Sequence, residues 1–333
     1  MVRKWLITGG CGFIGRSLIK QLIDEGGHQI CVIDNLSVGS REDLGDVCQF
    51  QEIRPDESSG SPSTVQLLIA DILDPDTAIR IAKNMDVIVH LAANTGVPAS
   101  VQNPRKDCMA NVIGTMNYLE AARINRIKRF IFASSGAPVG ECEPPIHEEM
   151  APHPVSPYGA GKLAAEGYCS AYYHSFGVET VALRFGNVYG PLSSNKTSVI
   201  AKFIKRALAG KPLEIYGDGS QTRDFIYIAD LVTAIRRTVD VEGIGGEIFQ
   251  IATAHETKVS EMTKKLIKGL KIQAGLGDVY PVCTPERLGD VKRNFSDTRK
   301  ALNRLGWQAS VGLDEGLKET VTWFLRNRER IAA

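Results

Sequence analysis

The feature that most constrains this chain is a rhythm. Five apolar, strand-like runs (residues 4–8, 29–34, 65–70, 87–92 and 129–134) alternate with four longer amphipathic stretches (13–25, 75–84, 105–123 and 158–176). Runs that are apolar throughout, rather than at every second position, mark strands buried on both faces. The intervening helices supply both the covering layers and the long crossovers that parallel strands need. The expected fold is therefore α/β, a Rossmann-type doubly wound parallel sheet. One more buried strand is expected within 177–184. Beyond about residue 185 the rhythm breaks into shorter pieces separated by Gly/Pro turns at 189–191, 210–212 and 217–219. This predicts an N-terminal domain over 1–184, with segments near 222–252 returning to it, and a smaller, mostly C-terminal α/β lobe over 185–333. Residues 51–64 are polar and turn-rich, which predicts an exposed loop.

Composition serves mainly to exclude. A formal charge of +1 gives no reason to expect nucleic acid or an anionic membrane as partner. The apolar run near the start, Trp5 to Ile7, is too short for a secretion signal, and no stretch approaches the roughly 18 apolar residues of a membrane span. The seven cysteines are scattered, odd in number and form no Cys-x-x-Cys pair. They predict a reduced, cytoplasmic setting with neither a disulfide framework nor a metal site.

The segment Thr8-Gly9-Gly10-Cys11-Gly12-Phe13-Ile14-Gly15 stands where the first strand passes into the first helix. Glycines there permit a tight turn, let backbone N–H groups approach a pyrophosphate, and let helix and strand pack closely. Asp34 closes the second strand, where a carboxylate accepts bonds from a ribose 2′-hydroxyl and repels a 2′-phosphate. NAD is thus expected over NADP. Asp71 and Ile72 follow the third strand, within reach of an adenine edge.

Tyr158 and Lys162 are four apart in a predicted helix, so both side chains share one face. A free tyrosine titrates at about 10, and a base near neutrality needs a shift of roughly 3 units, some 4 kcal/mol. A neighbouring ammonium and a positive nicotinamide ring are the obvious sources. Ser134-Ser135 ends the fifth strand, and strand C-termini are where open α/β sheets bind ligands. Alone, the Tyr/Lys pair fits an ordinary surface helix and the serines fit a helix cap. Together they point to one crevice.

These segments, with Asp34-Asn35-Leu36-Ser37, His90-Leu91-Ala92-Ala93, Asn111-Val112-Ile113-Gly114-Thr115, Arg184 to Pro191, Gly217 to Phe225 and Arg287-Leu288-Gly289-Asp290, run nearly end to end. In this order they resemble the extended short-chain dehydrogenases/reductases of the nucleotide-sugar epimerase/dehydratase group. The resemblance implies NAD held by Gly9, Gly12, Phe13, Ile14, Gly15, Asp34, Asn35, Ser37, Asp71, Ile72, Leu91, Ala92 and Ala93, with Tyr158 and Lys162 at the nicotinamide end. It also implies a catalytic set in which Tyr158 takes the proton of the sugar C4 hydroxyl as hydride passes to NAD. Ser135 binds the same oxygen, Lys162 holds down the tyrosine pKa and Asn111 supports the site.

The second lobe would be the substrate lobe, binding a nucleotide-diphosphate sugar, UDP-linked, through Asn187, Arg223 and Arg287. Asn294, at the gate position beyond Arg287, would border the sugar, as would residues 95–100 and 196–199. A homodimer through the helices at 105–123 and 158–176 is implied as well. Within the family, a 4,6-dehydratase needs an acid/base pair beside the hydroxyl residue, and Ser134-Ser135-Gly136-Ala137 supplies none, which favours 4-epimerisation. Dehydratase, decarboxylase and ketoreductase activities are the enzymatic alternatives, and a non-catalytic NAD-sensing module the alternative of another class. In one place the chain departs from the pattern: Pro138-Val139-Gly140 replaces the family's Val-Tyr-Gly and alters the wall beside the sugar.

Overall fold

A computed structural model describes residues 3–54, 64–276, 279–286 and 291–332. In chain order the strands are β1 (Lys4–Thr8), β2 (Gln29–Asp34), β3 (Gln51–Ile53), β4 (Val65–Ile69), β5 (Val87–His90), β6 (Arg129–Ser135) and β7 (Thr180–Phe185). They continue with β8 (Asn187–Tyr189), β9 (Leu213–Tyr216), β10 (Thr222–Arg223), β11 (Phe225–Tyr227), β12 (Glu247–Ile251), β13 (Thr257–Lys258) and β14 (Pro281–Thr284). The helices are α1 (Phe13–Glu25), α2 (Arg41–Gly45), α3 (Pro75–Ile81), α4 (Val97–Gln102), α5 (Pro104–Cys108), α6 (Gly114–Ile124) and α7 (Pro157–Phe176). They are followed by α8 (Val199–Leu208), α9 (Ile228–Asp240), α10 (Val259–Ala274), α11 (Arg299–Leu305), α12 (Leu313–Arg326) and α13 (Arg328–Ala332).

Eight strands form one parallel sheet in the order β12-β7-β6-β5-β1-β2-β4-β3. From β1 the chain builds outward through β2 and β4, then returns to place β5 on the other side of β1. The connections at the C-terminal ends of β1 and β5 therefore diverge to opposite faces, and a crevice opens there. Alternate residues of each strand feed two different cores, as a doubly covered sheet requires. Trp5, Ile7, Val89, Ile131 and Val181 pack with α1 and α9; Leu6, Ile88, Phe130, Phe132 and Ala182 pack with α6 and α7. A third cluster, including Phe203, Ile204, Leu213, Met262, Leu266, Val321 and Phe324, joins α8, α10 and α12 around β9.

The expected α/β sheet is present, with differences in detail. The first part of the expected loop at 51–64 is an edge strand: Glu52 of β3 pairs with Leu67 of β4. Its Gln51 and Glu52 are exposed and only Ile53 is buried, so a polar edge reads as a loop; residues 55–63 lie outside the described residues. The strand expected over 87–92 stops at His90, and the helix expected over 75–84 stops at Ile81, before Asn84 takes a positive φ of 63°. The helix expected over 105–123 is interrupted by a π-helical turn, Met109–Ile113, between α5 and α6. Among the described residues no helix is long and apolar enough to cross a membrane.

Candidate active site

The glycine turn sits at the mouth of the crevice, and its residues are fixed by contact. Gly9 has a φ of 70°, and a Cβ on it would lie 2.8 Å from the backbone nitrogen of Ala92. A Cβ on Gly15 would lie 2.6 Å from both Gly10 Cα and the Gly9 carbonyl, so α1 closes directly on the turn. Gly12 caps α1 without a side-chain bond, and Phe13, Ile14 and the rest of the first turn bring no acidic residue. The leading N–H groups are left for an anion, as a dinucleotide pyrophosphate requires.

Asp34 is buried at the end of β2 and accepts the N–H groups of Cys11 (3.0 Å) and Leu36 (2.9 Å), one on each oxygen. Burial pushes its carboxyl up and these two bonds pull it down. Each oxygen keeps a lone pair for a ribose hydroxyl. Asn35 donates to Asp71 (2.8 Å) and accepts the N–H of Ser37 (3.1 Å), so these three residues form one rim, with buried Ile72 beneath Gly114. Turn, carboxylate and rim fit a dinucleotide.

Behind Leu91, Ala92 and Ala93 runs a chain of bonds whose direction the partners fix. The Thr115 hydroxyl donates to the Asn111 carbonyl (2.8 Å), so at 3.2 Å it accepts from His90 Nε2. His90 Nδ1 is then an acceptor for the Thr8 hydroxyl (2.9 Å), which itself accepts the N–H of Ala92 (3.2 Å). Full burial holds the imidazole neutral, its pKa pushed down to about 3 with Lys162 adding to the effect. Asn111 is buried, and its amide is engaged on both sides: it accepts Asn94 N–H and donates to the Asn94 carbonyl, each at 3.0 Å. Asn94 in turn donates to Asp107 at 2.9 Å.

Tyr158, Lys162 and Ser135 meet where β6 ends against the start of α7. Ser156 caps α7 by accepting the N–H of Gly159 (3.1 Å), with Pro157 as the first helical residue. A Cβ on Gly159 would lie 2.6 Å from the Ala137 carbonyl, so the loop leaving Ser135 rests on this turn. Burial pushes the Tyr158 phenol up to about 12, opposed by a hydrogen bond with Ser135 and reinforced by the charge of Asp107. Lys162 is buried, donates to the Ala133 carbonyl (2.8 Å), and lies 5.9 Å from the centre of the Tyr158 ring. Burial pulls its amine down to about 8, and Asp107 and Glu166 pull it back up. The arrangement can move one proton on and off an oxygen held between Ser135 and Tyr158.

Residues beyond β7 approach the same end of the sheet. Asn187 is exposed on β8, its N–H bonded to the Asp224 carbonyl (2.8 Å). Arg223 precedes Asp224, and one guanidinium nitrogen holds the Thr222 and Val291 carbonyls (2.6 and 2.7 Å). The buried Asp224 carboxylate accepts the N–H groups of Thr253, Ala254 and Ser296, which links β8 and β11 to the segment after β12. Asn294 reaches the loop after Ser135, its amide nitrogen 3.8 Å from where a Cβ on Gly136 would be. Arg287 lies outside the described residues. Lys196, expected near the sugar, places its ammonium 5.9 Å over the ring of Phe13 at the glycine turn. Sequence reasoning missed Asp107, Asn94 and a buried ion pair between Glu166 and Arg184, because each acts through a partner distant in the chain.

Comparisons with known proteins identify the family. The sequence model of the NAD dependent epimerase/dehydratase family matches residues 5–252. The UDP-glucose 4-epimerase of Mycolicibacterium smegmatis is 36% identical over 332 residues, covering 98% of this chain and 100% of that protein. Among solved structures, the UDP-glucose 4-epimerase of Thermotoga maritima with UDP-glucose has a TM-score of 0.86 at 35% identity, covering 98% of this chain and 99% of that one. The dTDP-glucose 4,6-dehydratase of Streptomyces venezuelae, solved with NAD bound, has a TM-score of 0.85 at 28% identity, covering 98% of each chain. The chain is an enzyme of the NAD-dependent nucleotide-sugar epimerase/dehydratase family, with NAD as its cofactor.

Proposed function

We propose that this enzyme inverts C4 of a UDP-linked hexose, N-acetylhexosamine or hexuronate through a transient 4-keto sugar. The observation that carries the reading is the composition of the crevice beside Ser135. Ser135 and Tyr158 are hydrogen-bonded over a buried Lys162, and the loop that follows, Gly136-Ala137-Pro138-Val139, brings no carboxylic acid to the sugar. One proton-moving group serves an oxidation and reduction at a single carbon; elimination across C5 and C6 needs a second acid/base pair.

When bound, NAD supplies the hydride acceptor and donor and a positively charged ring. Tyr158 takes the proton from the C4 hydroxyl, and Ser135 holds that oxygen in line. Bringing a phenol held at about 12 to near neutrality takes about 7 kcal/mol of differential stabilisation, so Tyr158 becomes an effective base only in the loaded site. Lys162 contributes its charge from beneath the ring and binds the cofactor ribose. After the keto sugar turns over in the pocket, Tyr158 returns the proton to the same oxygen. Asn187, Arg223 and Arg287 bind the diphosphate, where the forked guanidinium matches phosphate oxygens. Asn294 borders the sugar, while Val139, in the place of the family's tyrosine, is buried behind the loop. The N-terminal region through β7, with α9 and β12 from the segments near 222–252 returning to it, acts as the NAD-binding part, and the rest of the region beyond β7 as the substrate lobe.

Incubation with UDP-glucose, UDP-N-acetylglucosamine and UDP-glucuronate, read by NMR, tests the reaction. The expected product has equal mass and inverted C4, with no net NADH. Loss of water, loss of carbon dioxide or consumption of added NADH would assign a dehydratase, decarboxylase or ketoreductase instead. A homodimer across the α5–α6 and α7 helices is part of the same reading, supported by exposed Met109, Ile113, Tyr168 and Phe176 on these elements. Ile113→Asp is expected to halve the mass seen by light scattering; an unchanged mass removes this face.

A further inference from the structure

Among the described residues, Asp107 packs against α7 with no salt-bridge partner of its own. It is fully buried on α5; one oxygen accepts the Asn94 amide (2.9 Å), and the other has no hydrogen-bond partner. That second oxygen points at α7: a Cβ on Gly161, between Tyr158 and Lys162, would lie 3.4 Å from it, so the carboxylate rests directly against the helix. A buried carboxylate is costly unless a positive charge lies close.

The other titratable groups around Lys162 and Tyr158 are already settled. Glu166, on the same helix, is clamped by both guanidinium arms of Arg184 (2.8 and 2.7 Å) and by the Ser134 hydroxyl (2.6 Å). Burial pushes the Cys169 thiol up, so it stays protonated, and His90 on β5 is neutral. From β6 come only the Phe132 ring, the Ala133 carbonyl and the Ser135 hydroxyl; Arg105 and Lys106 beside Asp107 are exposed. Lys162 itself is buried with a single carbonyl as hydrogen-bond partner. The two unsatisfied charges compensate one another across Gly161.

We propose that Asp107 is a positioning carboxylate for the Tyr158–Lys162 pair, holding Lys162 as an ammonium and setting the pH range in which the pair works. Its negative charge raises both groups: it favours the ammonium of Lys162 and disfavours the phenolate of Tyr158. It therefore acts on both limbs of the pH profile in the same direction. The assignment rests on the proposed roles of Tyr158 and Lys162, and the test separates the two.

The NAD-loaded enzyme, with no substrate, is titrated by NMR using carbon-13 labels at lysine Cε and tyrosine Cζ. Lys162→Met and Tyr158→Phe identify the two signals. In Asp107→Asn both titrations are expected to move to lower pH by about one unit or more, with the melting temperature recorded separately. Asp107→Ser serves the same purpose if the amide variant does not fold. Turnover against pH should shift to the acid side as a unit. A purely structural role lowers turnover at every pH and leaves the two titrations in place, which overturns the proposal, as does movement of either group to higher pH. A wild type that inverts no nucleotide sugar overturns the proposed reaction and leaves the titrations to judge Asp107.

Discussion

Lys162 and Glu166 sit one turn apart on α7, both buried, and their surroundings differ. Glu166 has a complete shell: the forked guanidinium of Arg184 and the Ser134 hydroxyl use both oxygens at 2.6–2.8 Å. Lys162 has one carbonyl, two aromatic rings and a carboxylate beyond Gly161. A saturated buried charge has nothing left to offer a ligand and ties β6, α7 and β7 together. An under-coordinated one keeps hydrogen-bonding capacity that only a bound molecule satisfies. On the proposed reading the same helix carries a structural charge and a working charge, distinguishable by how fully each is partnered.

The largest effect that sharpens this contrast should come from Tyr158→Phe. It should lower turnover by about 10²–10⁴ while NAD binding and the melting temperature hold. Unchanged turnover would remove Tyr158 from the reaction. Arg184→Met should do the reverse, leaving Glu166 buried without its cation and costing about 3–5 kcal/mol in urea unfolding. A loss below about 1 kcal/mol would break the comparison.

Lys162 makes a pH-linked difference. Its folded pKa of about 8 is below the unfolded value near 10.5, so between these values the unfolded chain binds more protons and stability rises with pH. Wild type should gain on the order of 3 kcal/mol over this window relative to Lys162→Met, read as the difference between their unfolding curves in the absence of ligand. Parallel curves would show that the amine is not desolvated. Ser134→Ala should have the smallest effect, about 1.5 kcal/mol of stability with turnover kept.

Much of this was legible in the sequence because it is local. Strand and helix periods, the glycines of the first turn and the four-residue spacing of Tyr158 and Lys162 are set within a few residues of one another. The Glu166–Arg184 pair was not, since it depends on the register that sets Ser134 opposite Arg184 across β6 and β7. Asp107 is hidden for a similar reason: nothing nearby in the chain distinguishes it from the exposed Arg105 and Lys106, and only the approach of α5 to Gly161 gives it a partner. The edge strand β3 escaped notice because an edge needs only one buried side chain, Ile53.

The π turn at Met109–Ile113 sets the relative facing of the two segments it joins. A π turn amounts to one surplus residue in the count of an otherwise α-helical segment. Upstream of it Asp107 points at α7, within it Asn111 bonds Asn94, and downstream Tyr118, Leu119 and Ala122 pack into the interior. Excising a single residue here would rotate one half against the other by roughly 100°. Either the polar residues or the apolar ones would then face the wrong way. The two halves keep their separate facings only while the surplus residue stays in place.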